Sequence, residues 1–177
     1  MTSCPILGFA AFSGVGKTTL LTQLIPLLRA GGVRIGMIKH AHHDFDIDTP
    51  GKDSYQLRKA GAEQVLIASS RRWALMAETP AQNEADLFQL IERLDQTHLD
   101  LILVEGFRHE AFAKIELHRP RLHHPLLCLQ DKNIIAVATD AELDIPVHIP
   151  TLNLNDPAQI ADFIQSEILD RAITPSA

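Results

Sequence analysis

Ser13-Gly14-Val15-Gly16-Lys17-Thr18-Thr19 gathers the residue types that hold a polyphosphate. Such a tail needs many donors around one small volume. Gly14 and Gly16 carry no Cβ, so the loop amides of Ser13, Gly14, Val15 and Gly16 can turn inward and approach phosphate oxygens. The Lys17 ammonium is expected to bridge the β- and γ-phosphates. One ion pair at about 4 Å is worth on the order of 4 kcal/mol at an effective dielectric of about 20. The Thr18 hydroxyl would sit on Mg²⁺, and Thr19 would bond the α-phosphate region. Three acids could complete such a site. Glu105, followed by Gly106, stands where phosphate-loop proteins place the residue that holds the Mg²⁺ shell. Asp48 is chosen as a further Mg²⁺ ligand, direct or through water. Asp140 stands where a carboxylate would accept from guanine N1 and N2. Lys17 and Glu105 are the residues expected to act in hydrolysis.

The elements around these residues are readable. Pro5 to Phe12 is an apolar run of the kind that makes a buried strand. The glycine turn follows, and an apolar helix is expected from Lys17 to Ala30, ended by Gly31-Gly32. The helix N-terminus adds free N–H groups and a positive dipole end to the loop. Ala11 stands where the strict pattern has its first glycine, which is tolerable if its φ stays negative. Pro26, inside the helix, should kink it or shift its boundary. Val33 to Ile38 reads as a second buried strand, giving a parallel βαβ unit.

Residues 40–54 then lie at the carboxyl edge of the sheet, where open α/β sheets bind ligands. The spacing of Asp44, Asp46 and Asp48 resembles a calcium loop, but no glycine stands at the sixth position and Tyr55 replaces the closing glutamate, so that reading is rejected. His40, His42 and His43 suggest a transition metal, without a closing ligand set. The preferred reading is a switch loop near the γ-phosphate. A plain solvated loop is the bland alternative.

Further on, Ser54 to Ala60 reads as a short helix capped by Asp53 or Ser54 and ended by Gly61. Gln64 to Ser69 and Trp73 to Glu78 form a hairpin, whose apolar residues must pack on the domain's own sheet or on a second subunit. Asn83 to Gln96 is an amphipathic helix with Leu87, Leu90, Ile91 and Leu94 on one face. Leu99 to Val104 is the third buried strand and Lys114 to His118 another short one. Arg119 to Pro125 reads as a basic surface loop. Ile134 to Ala138 and Val147 to Ile149 complete the strands, and Asp156-Pro157 opens a final helix to about Arg171. The end, Ile173 to Ala177, should fray.

The fold expected is α/β: a phosphate-loop NTPase with a mainly parallel sheet flanked by helices and an added hairpin at about 64–78, in one domain over 1–177. At 46% hydrophobic, the chain has ample material for a core. A net charge of -6 argues against nucleic-acid or anionic-membrane partners. No apolar run reaches membrane-spanning length, and the N-terminus does not read as a signal peptide. Cys4 and Cys128 are expected to be free thiols in a reducing, cytoplasmic setting.

Taken together, the Ser13 to Thr19 loop, the stretch Lys39-His40-Ala41-His42-His43 through Asp48-Thr49-Pro50-Gly51-Lys52-Asp53-Ser54, and Leu103-Val104-Glu105-Gly106-Phe107 resemble the MobB family of molybdopterin-guanine dinucleotide biosynthesis adaptors. The histidine-rich segment with Gly-Lys-Asp-Ser is the most particular part. The resemblance implies the branch of the phosphate-loop fold containing dethiobiotin synthetase and the metallochaperone GTPases. It implies GTP with Mg²⁺, slow hydrolysis, a homodimer, and partnership with the guanylyltransferase that attaches GMP to molybdopterin and with molybdopterin-carrying proteins. It also implies Thr18, Asp48 and Glu105 as the Mg²⁺ ligands.

Two functions follow. The first is a GTP-binding adaptor with weak GTPase activity. No residue stands out as a water-positioning glutamine, and Arg108 is the candidate for an arginine finger. Unassisted enzymes of this kind turn over at about 10⁻⁴ to 10⁻² s⁻¹, a rate that suits a switch. The second is a small-molecule kinase or ligase of the dethiobiotin synthetase type, with Lys39 or Lys52 steadying the transferred group. The Asn-Lys-x-Asp tetrapeptide of guanine-specific GTPases is absent, so the pattern alone does not choose GTP over ATP.

Overall fold

The computed structural model describes residues 4–41, 45–79, 85–143 and 147–173. Its chain divides into two compact units, Met1–His40 with Asp86–Ala177, and Ala41–Ala85. Each is described by itself.

The first unit is built on β1 (Ile6–Ala10), β2 (Ile35–Lys39), β5 (Leu101–Glu105), β6 (Lys114–His118), β7 (Ile134–Thr139) and β8 (Thr151–Asn153); β3 and β4 belong to the second unit. The six strands form one sheet in the order β2-β5-β1-β6-β7-β8, every pair parallel. This is the expected α/β class. Helix α1 (Lys17–Ala30) follows the glycine turn directly and ends at Gly31, whose N–H donates to Leu27. Pro26 does not move the boundary. Leu20, Leu21, Leu24 and Leu28 of α1 are buried with Leu7 and Phe9 of β1 and with Ile160 and Ile164 of the helix Pro157–Ile164. Each such side chain contributes roughly 1.5–3 kcal/mol through burial. On a second cluster, Ile102 and Val104 meet Leu87, Ile91, Phe107 and Phe112.

Several elements differ from expectation. The helix expected over 83–96 is shorter: α3 spans Leu87–Ile91, because Asp86 caps it by accepting from the N–H groups of Phe88 and Gln89. Asp95 then caps a separate 3₁₀ turn, Gln96–His98, and Leu90 is exposed. The expected start at Asn83 lies outside the described residues. No strand forms at 147–149. The last strand begins one residue after Pro150, whose carbonyl accepts from Val137 N–H; a proline fits at a strand's start but not inside its ladder. The final helix starts as expected, with Asp156 accepting from Ala158 and Gln159 N–H and Pro157 in the first turn. It passes through a π-helical turn at Gln165–Leu169 and continues as a last helix, Asp170–Ile173.

β6 is a central strand, paired to both β1 and β7. Its alternate residues Lys114, Glu116 and His118 are therefore buried, not solvated. Lys114 Nζ reaches Asp131 at 2.9 Å and the Glu110 carbonyl at 2.6 Å, and the Phe112 ring lies 4.8 Å from it. Glu116 accepts from the N–H groups of Leu127 and Cys128, both at 2.8 Å. Each buried charge is thus met by a partner, as burial demands.

The second unit holds α2 (Asp53–Lys59), β3 (Gln64–Ala68) and β4 (Trp73–Ala77). The strands pair antiparallel from Gln64↔Ala77 to Ala68↔Trp73, which is the expected hairpin. Lys52, not Asp53 or Ser54, stands at the N-cap of α2, without a side-chain bond. Ser54 Oγ instead donates to Asp48 Oδ1 at 2.8 Å. Arg58 pairs with Asp46 and, at 3.0 Å, with Glu78. Leu66, Ile67, Trp73 and Leu75 are exposed.

Candidate functional site

β1 delivers the glycine loop to the carboxyl edge of the sheet, between β5 and β6. Gly14 and Gly16 take φ of 80° and 108°, left-handed values that a side chain would strain. Among the described residues, the only non-glycine residues with positive φ are Phe107 and His123, so Ala11 meets the condition set for it. A Cβ at Gly14 would meet nothing within 4 Å, which leaves that side of the loop open. Lys17 Nζ lies back along the loop and donates to the Ala11 carbonyl at 3.0 Å. Burial pushes the Lys17 ammonium below its ordinary pKa; nearby Glu105 pulls it up and Lys39 pushes it down further. Thr18 and Thr19 are exposed in the first turn of α1.

Glu105 ends β5, in register with Phe9 of β1 on one side and Lys39 of β2 on the other. Its carboxylate lies 3.7 Å from Lys39 Nζ. Gly106 (φ 100°) and Phe107 (φ 49°) turn the chain sharply after it. Phe107 is buried and stacks on His40 at 4.5 Å between ring centroids. His40 N–H donates to the Glu105 carbonyl at 2.8 Å. A bulky residue in the left-handed region costs energy, and here packing holds it beside the acid. Lys17, Glu105 and Lys39 are thus brought together at one sheet edge.

Asp140, just past β7, is joined to Arg119, with Nη1 and Oδ2 2.5 Å apart. Arg119 Nε also donates to the Val15 carbonyl at 2.8 Å. His124 stacks on Phe12, ring centroids 4.5 Å apart. The segment expected to be a basic surface loop therefore rests on the glycine loop at both of these residues, while Arg121, Leu122 and His123 between them are exposed. Nothing local signals this, because Arg119 and Val15 are 104 residues apart. Arg108 Nε donates to the neighbouring His109 ring at 3.2 Å.

In the second unit, Asp48 Oδ1 accepts from Ser54 Oγ and Thr49 N–H, whereas Oδ2 is buried without a hydrogen-bond partner among the described residues. His42, His43 and Asp44 lie outside the described residues. Among the described residues no cluster of three His, Cys, Asp or Glu could hold a metal ion, and no helix is long and apolar enough to cross a membrane.

A cleft of about 440 Å³ opens at the opposite end of β1, next to Cys4, Gly32, Gln96, Asp100 and Gln165. Its polar groups are committed: Asp100 to Arg34, Gln96 to the Ile91 carbonyl, Gln165 to Asp170. The candidate chemistry lies at the loop end.

A family model described as "MobB: Molybdopterin guanine dinucleotide synthesis protein B" matches residues 6–140. The molybdopterin-guanine dinucleotide biosynthesis adapter protein of Escherichia coli K12 is 56% identical over 92% of this chain and 93% of its own length. The adapter protein of Haemophilus influenzae is 45% identical over 92% and 88%. The crystal structure of Bacillus subtilis MobB superposes with a TM-score of 0.72 at 26% identity, covering 93% of this chain and 98% of that one.

Proposed function

The chain belongs to the MobB family, and from that membership we propose that it is an adapter in molybdopterin-guanine dinucleotide biosynthesis that binds GTP with Mg²⁺. In this reading it hydrolyses GTP slowly and assists guanylyl transfer to molybdopterin by a partner guanylyltransferase. The role rests on relatives that are 56% and 45% identical over nearly the whole chain. The observation that carries the nucleotide reading is the loop itself: two left-handed glycines, then Lys17 at the start of α1, beside Glu105.

The residues divide the work by chemistry. The amides of Ser13 to Gly16 and the N-terminus of α1 receive phosphate oxygens, and Lys17 leaves the Ala11 carbonyl to pair with the β- and γ-phosphates. Thr19 takes the α-phosphate region. Thr18 and Glu105 would hold Mg²⁺: a hydroxyl and a carboxylate are both hard oxygen donors. When bound, Mg²⁺ neutralises charge on the β- and γ-phosphate oxygens. Asp140 would accept from the guanine edge. Lys39 holds the Glu105 carboxylate from the β2 side, keeping it oriented at the sheet edge.

The exposed Leu66, Ile67, Trp73 and Leu75 favour a homodimer joined through the hairpin, since apolar strand surfaces are seldom left bare. Other partners would be the guanylyltransferase and molybdopterin-carrying proteins. A cytoplasmic location fits two free thiols that burial keeps protonated, Cys128 pushed up to about 11 with Glu116 adding to the effect.

Calorimetry with GTP and Mg²⁺ tests the reading. Wild-type chain should bind and Lys17→Ala should show no detectable binding; equal affinity in both would overturn it. Phosphate release should be slow and indifferent to pterin acceptors. Fast, acceptor-dependent turnover would point to a kinase instead.

A further inference from the structure

The geometry points to Arg119 as a positioning residue that couples the phosphate loop to Asp140, an inference that rests on the nucleotide reading of that loop. One guanidinium makes both contacts. Nε donates to the Val15 carbonyl at 2.8 Å, and Nη1 meets Asp140 Oδ2 at 2.5 Å. Both side chains are largely buried, at 19% and 15% exposure, so the pair is shielded from solvent competition.

The contact to Val15 bears on phosphate binding. A peptide unit is planar and trans, so its C=O and N–H point in opposite directions. Holding the Val15 carbonyl toward Arg119 therefore holds the Gly16 N–H away from it. Gly16, at φ 108°, is the residue most able to rotate out of this arrangement. Arg119 removes that freedom. The planar fork suits the task, because two acceptors at a fixed angle are met without further ordering. A second contact backs the loop from the same segment, the His124 ring stacked on Phe12.

The contact to Asp140 adds the coupling. Asp140 anchors the guanidinium that orients the Val15–Gly16 peptide. A carboxylate placed for base recognition thereby also sets the phosphate amides. A ligand without any base should still sense its removal.

Inorganic tripolyphosphate is such a probe, measured by calorimetry beside GTP with wild type, Arg119→Lys, Arg119→Met, Asp140→Asn and the Met/Asn double variant, each checked for folding by thermal melt. Arg119→Lys keeps the charge but cannot reach both oxygens, so tripolyphosphate affinity should fall roughly ten-fold. Asp140→Asn should weaken tripolyphosphate several-fold, and should add nothing in the Arg119→Met background. Wild-type affinity in Arg119→Lys would show that charge alone matters, overturning the inference. So would unchanged or tighter tripolyphosphate binding in Asp140→Asn, or additive losses in the double variant. A wild-type chain that bound neither probe would bring down the nucleotide reading itself.

Discussion

Gly106 faces His40 so closely that a Cβ placed on it would lie 2.5 Å from the Cβ of His40. The same glycine sits at φ 100°, immediately after Glu105. Gly106→Ala therefore meets a clash and backbone strain together. It should cost about 2 kcal/mol or more, read as a lowered denaturation midpoint. Gly14→Ala is the control. Its φ is 80° but its surroundings are open, so only strain of about 1–2 kcal/mol should be seen. Equal stability of the two variants would contradict the packing.

Glu105 raises the pKa of Lys17 against the effect of burial. Lys17 must be protonated to pair with phosphate, so affinity for GTP should fall as pH rises through its pKa. Glu105→Gln removes the support, and that fall should move to lower pH. Mg²⁺ dependence and hydrolysis should suffer more than nucleotide affinity. Calorimetry across the alkaline range, with and without Mg²⁺, checks both effects; equal losses in all three would exclude a metal role.

The Glu116 carboxylate satisfies two backbone N–H groups from the middle of the sheet. Glu116→Ala strands both donors and removes the carboxylate that lies 3.9 Å from His118 Nδ1. A loss of about 2–5 kcal/mol is expected in urea denaturation. Glu116→Gln keeps one acceptor oxygen and should lose less.

The alternation of Lys114, Glu116 and His118 with Ile115 and Leu117 looks like a strand with one face in water. A strand of that kind is common, and nothing local says that loops cover the polar face. The clue was position: a strand between two apolar neighbours in a parallel sheet has no wet side. The glycine loop, by contrast, was legible because all its chemistry lies within seven consecutive residues. Arg119 was not, since its partners lie 104 and 21 residues away. The helix expected over 83–96 was overestimated because Leu90 continues the apolar pattern, while Asp86, competing for the N–H groups of Phe88 and Gln89, sets the true start.

Asp100 accepts from the Arg34 side chain and backbone, which holds its carboxyl well below the ordinary 3.8, at about 2. A depressed carboxylate stabilises the folded chain above the unfolded pKa, and that contribution is lost as pH falls from about 3.8 through about 2. Asp100→Asn should therefore flatten the acid limb of a stability-against-pH curve. The pair is partly exposed, so the effect should also shrink in high salt.

Leu66 and Trp73 are both about two-thirds exposed on the hairpin. If they are covered by a second copy, Leu66→Glu with Trp73→Glu should give a single species of 19.6 kDa by light scattering, where wild type gives twice that mass. A wild-type monomer would refute the hairpin dimer.

The parallel register sets Ile6 opposite Ile102 and Gly8 opposite Lys114. A growing polypeptide on the ribosome thus makes its first strand long before either flanking partner exists. At about 5–20 residues per second, the wait lasts roughly 5–20 s. During it the apolar segment 5–12 stays unpaired, and no anion can rescue it, because the cradle has no walls until its neighbours emerge. Chaperone dependence at birth, and slow recovery after dilution from denaturant, are the expected price of a sheet with no antiparallel shortcut.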